Sequence, residues 1–90
     1  ELIKGVAKEE GINNIRANSI AIGVIETGIF LRLKEQGAFD DAWIEGVKSA
    51  LPLNRFGQPE EVAKMAVFLA SNNAAYTTGQ LIPVDGGFGV

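Results

Sequence analysis

Asn18-Ser19-Ile20-Ala21-Ile22-Gly23-Val24-Ile25-Glu26-Thr27 and, toward the far end of the chain, Thr78-Gly79-Gln80-Leu81-Ile82-Pro83-Val84-Asp85-Gly86-Gly87 decide the fold. Each is an apolar run that stops abruptly at glycine, as a buried parallel strand does where it gives way to a loop. The residues between them carry a helical pattern, and parallel neighbours need a crossover of that kind. The chain therefore reads as α/β: one β-α-β unit with a leading helix, whose first strand ends where such sheets place their ligands.

Working outward, Ile15 to Gly23 reads as the first strand, with apolar positions on both faces, as in an interior parallel strand covered on both sides. Val24 to Ala38 reads as a loop or short irregular helix, unusually apolar at Ile29, Phe30, Leu31 and Leu33, and so a lid or an interface. Asp40-Asp41 start a helix running to about Ala50, with Trp43, Ile44 and Val47 on one side and acidic groups at its positive end. Leu51 to Gln58 is a turn segment. Pro59-Glu60-Glu61 start a second helix to about Ala70, because proline at the first helical position forfeits no hydrogen bond. After Lys64 that helix is apolar almost all round, so it must be covered on more than one side. Ser71-Asn72-Asn73 end it, Tyr76 to Gly79 turn the chain, and Gln80 to Val84 form the second strand. Pro83 cannot donate to a ladder, which places that strand at a sheet edge.

Before these strands, Leu2, Ile3, Val6 and Ala7 recur at helical spacing, with Lys4, Lys8, Glu9 and Glu10 on other faces. No Ser, Thr, Asp or Asn precedes them as a cap, and no methionine begins the chain, so the helix is expected to be already running at Glu1 within a longer protein. Gly11 and Asn13-Asn14 stop it, because these residues tolerate the left-handed conformation.

Composition excludes whole classes of chemistry. Ninety residues make at most one small domain, read here as a single unit over 1–90. A chain of this size buries roughly 60–65% of its unfolded surface, which leaves a lone core marginal. With neither cysteine nor histidine, disulfides, thiolate metal sites and Ser-His-Asp or Cys-His catalysis are ruled out, and no metal site is expected. Eight basic against eleven acidic residues give a formal charge of −3 without a basic stripe, so no nucleic acid partner is expected. No apolar run reaches the ~18 residues of a membrane span, and no signal peptide opens the chain; a soluble, cytoplasmic protein is the expectation.

The acidic pairs Glu9-Glu10, Asp40-Asp41 and Glu60-Glu61 are solvated faces or helix-start charges, since neighbours on a helix point apart. Asp85-Gly86-Gly87-Phe88-Gly89 is glycine-rich, yet no helix follows it to hold a phosphate. Ser49 and Ser71 have no histidine to activate them, and no catalytic residue is assigned. Gly23-Val24-Ile25-Glu26-Thr27 is the one candidate site, where backbone groups and a threonine hydroxyl face a crevice at the end of a strand.

Those stretches, together with Pro52-Leu53-x-Arg55-x-Gly57-x-Pro59-Glu60-Glu61-Val62-Ala63, Phe68-Leu69-Ala70-Ser71 and Tyr76-x-x-Gly79-Gln80, resemble the C-terminal third of a classical short-chain dehydrogenase/reductase. Nearly the whole chain matches in order and spacing. The resemblance implies the C-terminal β-α-β part of a Rossmann-type doubly wound parallel sheet: helix, strand, lid region (24–50), helix, edge strand. It implies NAD or NADP as the cofactor of the complete protein, with Gly23, Ile25 and Thr27 in the cofactor-binding wall. There the isoleucine backbone meets the nicotinamide carboxamide, and the threonine bonds the carboxamide or a phosphate. Ile22 stands where proline is usual, which leaves the turn less rigid, and Asn14 stands where glycine is common.

The family's glycine-rich dinucleotide loop and its Tyr-x-x-x-Lys pair belong upstream of the residues here, and the residue four after Tyr76 is Gln80, not lysine. The tyrosine is the family's general acid/base. Two readings follow from the resemblance. In one, this is the C-terminal part of an NAD(P)-dependent oxidoreductase, supplying nicotinamide wall, substrate lid and subunit interface, inactive alone and partnered by the missing N-terminal part. In the other, it is a non-catalytic assembly module that pairs with copies of itself as a homo-oligomer.

Overall fold

The computed structural model describes residues 2–90, in the order α1 (Leu2–Glu10), β1 (Ser19–Ile22), α2 (Gly28–Glu35), α3 (Asp41–Ala50), α4 (Pro59–Ala70) and β2 (Leu81–Val84). Single 3-10 turns at Gly11–Asn13 and Asn72–Ala74 follow α1 and α4. The strands pair in parallel, from Ser19 opposite Leu81 to Ile22 opposite Val84. This is the α/β arrangement expected from the two quoted stretches, with α4 inside the crossover.

Elements begin and end where local chemistry dictates. Asp40 Oδ1 accepts from the Trp43 N–H at 2.7 Å and caps α3, while Pro59 opens α4 at the residue expected. Asn14 leaves α1 and its 3-10 turn at φ 58°, the left-handed conformation anticipated for it. The expected helix start at Glu1 lies outside the described residues.

Three expectations need revising. The first strand is Ser19–Ile22 rather than Ile15–Gly23. Residues 15–18 are tied instead to the turn before β2: Arg16 donates to Thr77 O and Ser71 O, and the Asn18 side chain donates to Thr77 O and accepts from the Gln80 N–H. Together with the Gly79 N–H donating to Ala17 O at 2.7 Å, these side-chain bonds hold the stretch without a regular ladder. The second revision is at Gly28–Glu35, which is a regular helix because Thr27 caps it through Phe30 N–H. The third is burial: β1 is half-buried and Ile22 is exposed, so among the described residues this strand is not covered on both faces.

The best-packed core does not lie on the sheet. Ile44, Leu51 and Phe56 are buried together, with Val24, Phe30, Phe39 and Val47 against them. Aromatic rings tie α2 and α3 to it: Phe30 stacks on Phe39 at 5.3 Å between centroids and meets Phe56 edge-on at 5.3 Å, and Phe39 stacks on Trp43 at 4.9 Å. Elsewhere the molecule is open. Its radius of gyration is 16.4 Å, against about 12 Å for a compact domain of this length. Its accessible surface is 6531 Å², against about 5,100 Å² for a folded monomer of this mass. No helix of the described residues is long and apolar enough to cross a membrane.

Candidate functional site

After Ile22 the chain must leave the sheet directly past the end of β2. The Gly23 N–H donates to Val84 O at 3.0 Å, and a Cβ on Gly23 would lie 2.8 Å from Asp85 Cα. Backbone cannot swing aside as a side-chain tip can, so this position requires glycine. The next residues form a one-residue parallel bridge between Ile25 and Gly57, with Gly57 N–H donating to Val24 O at 3.0 Å and Glu26 N–H to Gly57 O at 2.9 Å. That pattern leaves the Ile25 N–H without a backbone acceptor among the described residues. Two residues on, Thr27 Oγ1 accepts the Phe30 N–H at 3.1 Å and caps α2. A hydroxyl both accepts and donates, so its proton is still available to a ligand at the positive end of the helix.

The three residues singled out from sequence therefore sit on one short exit from β1, held by different means: Gly23 against β2, Ile25 against Gly57, and Thr27 on α2. A cleft of about 440 Å³ opens beside the carboxyl ends of both strands. Ile25, Arg55, Gly57 and Asp85 line it, whereas Gly23 and Thr27 do not. The site's polar groups are thus the backbone and hydroxyl on the exit, and the cleft adds mainly apolar wall.

Sequence reasoning missed the residues that support this exit. Arg55 grips Glu61 with both arms of its guanidinium, Nη1 to Oε1 at 2.7 Å and Nη2 to Oε2 at 2.8 Å. Glu61 Oε1 also accepts the Gln58 N–H at 2.9 Å. These bonds, the Arg55 bond first and the Gln58 amide second, lower the Glu61 carboxyl to a pKa of about 2. The same carboxylate raises the pKa of Arg55. Gln58 Nε2 in turn donates to Glu26 Oε1 at 2.8 Å, across 32 positions of sequence. Glu61 is more than a solvated helix-start charge. Its place at the third position after the cap was a legible signal, whereas nothing local signals the pairing of Gln58 with Glu26.

A glycine-terminated parallel strand with its exit backbone open at the carboxyl end defines the class: an α/β protein built on a nucleotide-binding type of sheet. Comparison with known proteins narrows it. Residues 1–89 match the family described as enoyl-(acyl carrier protein) reductase. The chain belongs to the short-chain dehydrogenase/reductase family. It is 46% identical over 84 residues to the 3-oxoacyl-[acyl-carrier-protein] reductase FabG of Chlamydia trachomatis serovar D, covering 93% of this chain and 32% of that protein. Among solved structures it resembles YwfH, an NADPH dependent reductase involved in bacilysin biosynthesis, with TM-score 0.83, 33% identity, and coverage of 96% of this chain and 34% of that one. It also resembles 4-hydroxyisoleucine dehydrogenase complexed with NADH, with TM-score 0.83, 35% identity, and coverage of 98% and 35%. The chain spans about a third of the length of the relatives it matches and has their Rossmann-type fold over that third.

Proposed function

We propose that this chain is the C-terminal part of an NAD(P)-dependent oxidoreductase that moves a hydride between nicotinamide and an alcohol or carbonyl substrate. The observation that carries the reading is the free Ile25 N–H beside a Thr27 hydroxyl at a strand exit where Gly23 admits no side chain. These groups fit a carboxamide. Its oxygen accepts the Ile25 N–H, and at the helix terminus either its NH2 donates to Thr27 Oγ1 or a neighbouring phosphate accepts the Thr27 hydroxyl proton. The bound nicotinamide supplies the hydride chemistry, and this chain's residues orient the ring and wall it from water.

Residues 24–50 are the lid, its two helices joined by the Phe30-Phe39-Trp43 stack, so that they move together over a substrate. No histidine, and no tyrosine paired with a lysine four residues on, is present to hold the transferred proton. The ninety-residue chain alone is therefore inactive, with the proton-handling groups on the N-terminal part. Purified alone, it is expected to leave NADH and NADPH unoxidised in the presence of carbonyl substrates; turnover by it would overturn the assignment. In the intact protein, Thr27→Ala is expected to weaken dinucleotide binding, read by NAD(P)H fluorescence. Unchanged affinity would remove Thr27 from the wall.

A second reading, an assembly module of copies of this chain, draws on the exposed apolar side chains Val67 and Phe68 of α4 and Leu81 of β2. Both readings place subunit contacts on α4 and the free edge of β2. Light scattering separates them: a well-behaved monomer removes the module.

A further inference from the structure

We propose that Gln58 is a positioning residue for the dinucleotide, acting through Glu26 to hold the 23–27 exit in shape; this rests on the reading of that exit as the nicotinamide wall. The exit needs an external brace. Neither Ile22 nor Gly23 has a ring to lock φ, as a proline would, and four residues separate Ile22 from the cap of α2. After the Gly23 N–H bond to Val84 O, the backbone is held against the rest of the fold by the Gly57 bridge.

The brace comes from the start of α4. The two-armed Arg55 contact fixes Glu61, and Glu61 accepts the Gln58 N–H, so the Gln58 backbone is set before its side chain reaches out. Gln58 Nε2 then donates to the Glu26 carboxylate at 2.8 Å, a bond strengthened by the charge on its acceptor. Glu26 lies between the two groups offered to the ligand, Ile25 N–H and Thr27 Oγ1. Its tether therefore sets their separation and direction. Gly57 completes the arrangement on the other side through its backbone, its N–H donating to Val24 O and its C=O accepting the Glu26 N–H.

The test uses the intact protein, with NADH and NADPH as probes. Gln58→Ala is expected to raise the dissociation constant about tenfold, the loss of one charge-assisted hydrogen bond. Gln58→Glu, which sets two carboxylates face to face, is expected to raise it further. The reciprocal exchange, Glu26→Gln with Gln58→Glu, restores a donor facing an acceptor and is expected to recover most of the affinity; damage to folding alone would not be rescued this way. Hydrogen exchange at the Glu26 and Gly57 amides is expected to quicken in Gln58→Ala while Ile44 is unchanged. Weaker binding in Thr27→Ala with full binding in both Gln58 variants overturns the brace and keeps the wall. Failure of the reciprocal exchange to recover affinity also overturns the brace. No dinucleotide binding by the unsubstituted protein overturns the wall, and with it the role of Gln58 toward the nicotinamide.

Discussion

Residues 24–58 hold a packed centre, with Ile44 4% and Phe56 2% exposed and aromatic rings stacked around them, while Ile29, Leu31 and Leu53 of the same segment stay exposed. In the sheet region exposure prevails, with Ile22 58%, Leu81 57% and Val67 69% exposed. The same kinds of side chain therefore play two parts. Between the strands they form a local core that anchors α2, α3 and the site exit, while on β1, β2 and α4 they lie exposed. The site lies on the seam, fastened on one side to β2 through Gly23 and on the other to the 55–58 segment through Ile25 and Glu26. An exit fastened on both sides is suited to serve as a wall for a ligand.

Several substitutions in the intact protein would break or sharpen this contrast. Phe56→Ala should cost about 3–5 kcal/mol of unfolding free energy, because it leaves a cavity under α2 and α3; urea denaturation reads it. A loss below 1 kcal/mol would mean that the local core is not what anchors these two helices. Gly23→Ala should cost about 1–3 kcal/mol by the same measurement, because its methyl meets the Asp85 backbone, and it should weaken dinucleotide binding as the exit shifts. Asp40→Ala removes the cap of α3 and should cost about 1 kcal/mol, seen as a lower midpoint and faster exchange in the first turn of α3.

The smallest effect is a pH dependence. Glu61 has its pKa lowered from 4.5 to about 2, so its contribution is complete above the unfolded value and is lost as pH falls from about 4.5 through about 2. Both partners are well exposed, and solvent screens the pair. The denaturation midpoint of the unsubstituted protein should fall across that window more steeply than that of Glu61→Gln. Parallel curves would show that the Arg55 contact adds nothing to stability.

The elements legible in the sequence were those set by local chemistry. Proline at position 59 marked the start of α4 to the residue and Asp40-Asp41 marked that of α3, while the strand ends were read at Val84, as found, and at Gly23, one residue past Ile22. Thr27 was noticed for its hydroxyl but not as a cap, so the regular helix behind it was read as a loop or short irregular helix. The length of β1 depended on Arg16 and Asn18 bonding to a turn some sixty positions away, which no local period encodes. The same limit hid the Gln58–Glu26 contact. The 23–27 exit stood out because glycine and a hydroxyl at a strand end are a local pattern, and the family resemblance picked out Gly23, Ile25 and Thr27 within it, whereas what braces them is set by tertiary placement.

The most direct test of the central claim is a structure of the intact protein with NADH or NADPH bound. The account predicts the nicotinamide carboxamide within hydrogen-bond distance of the Ile25 N–H, with Thr27 Oγ1 on the carboxamide or a phosphate. A dinucleotide seated away from residues 23–27 would contradict it.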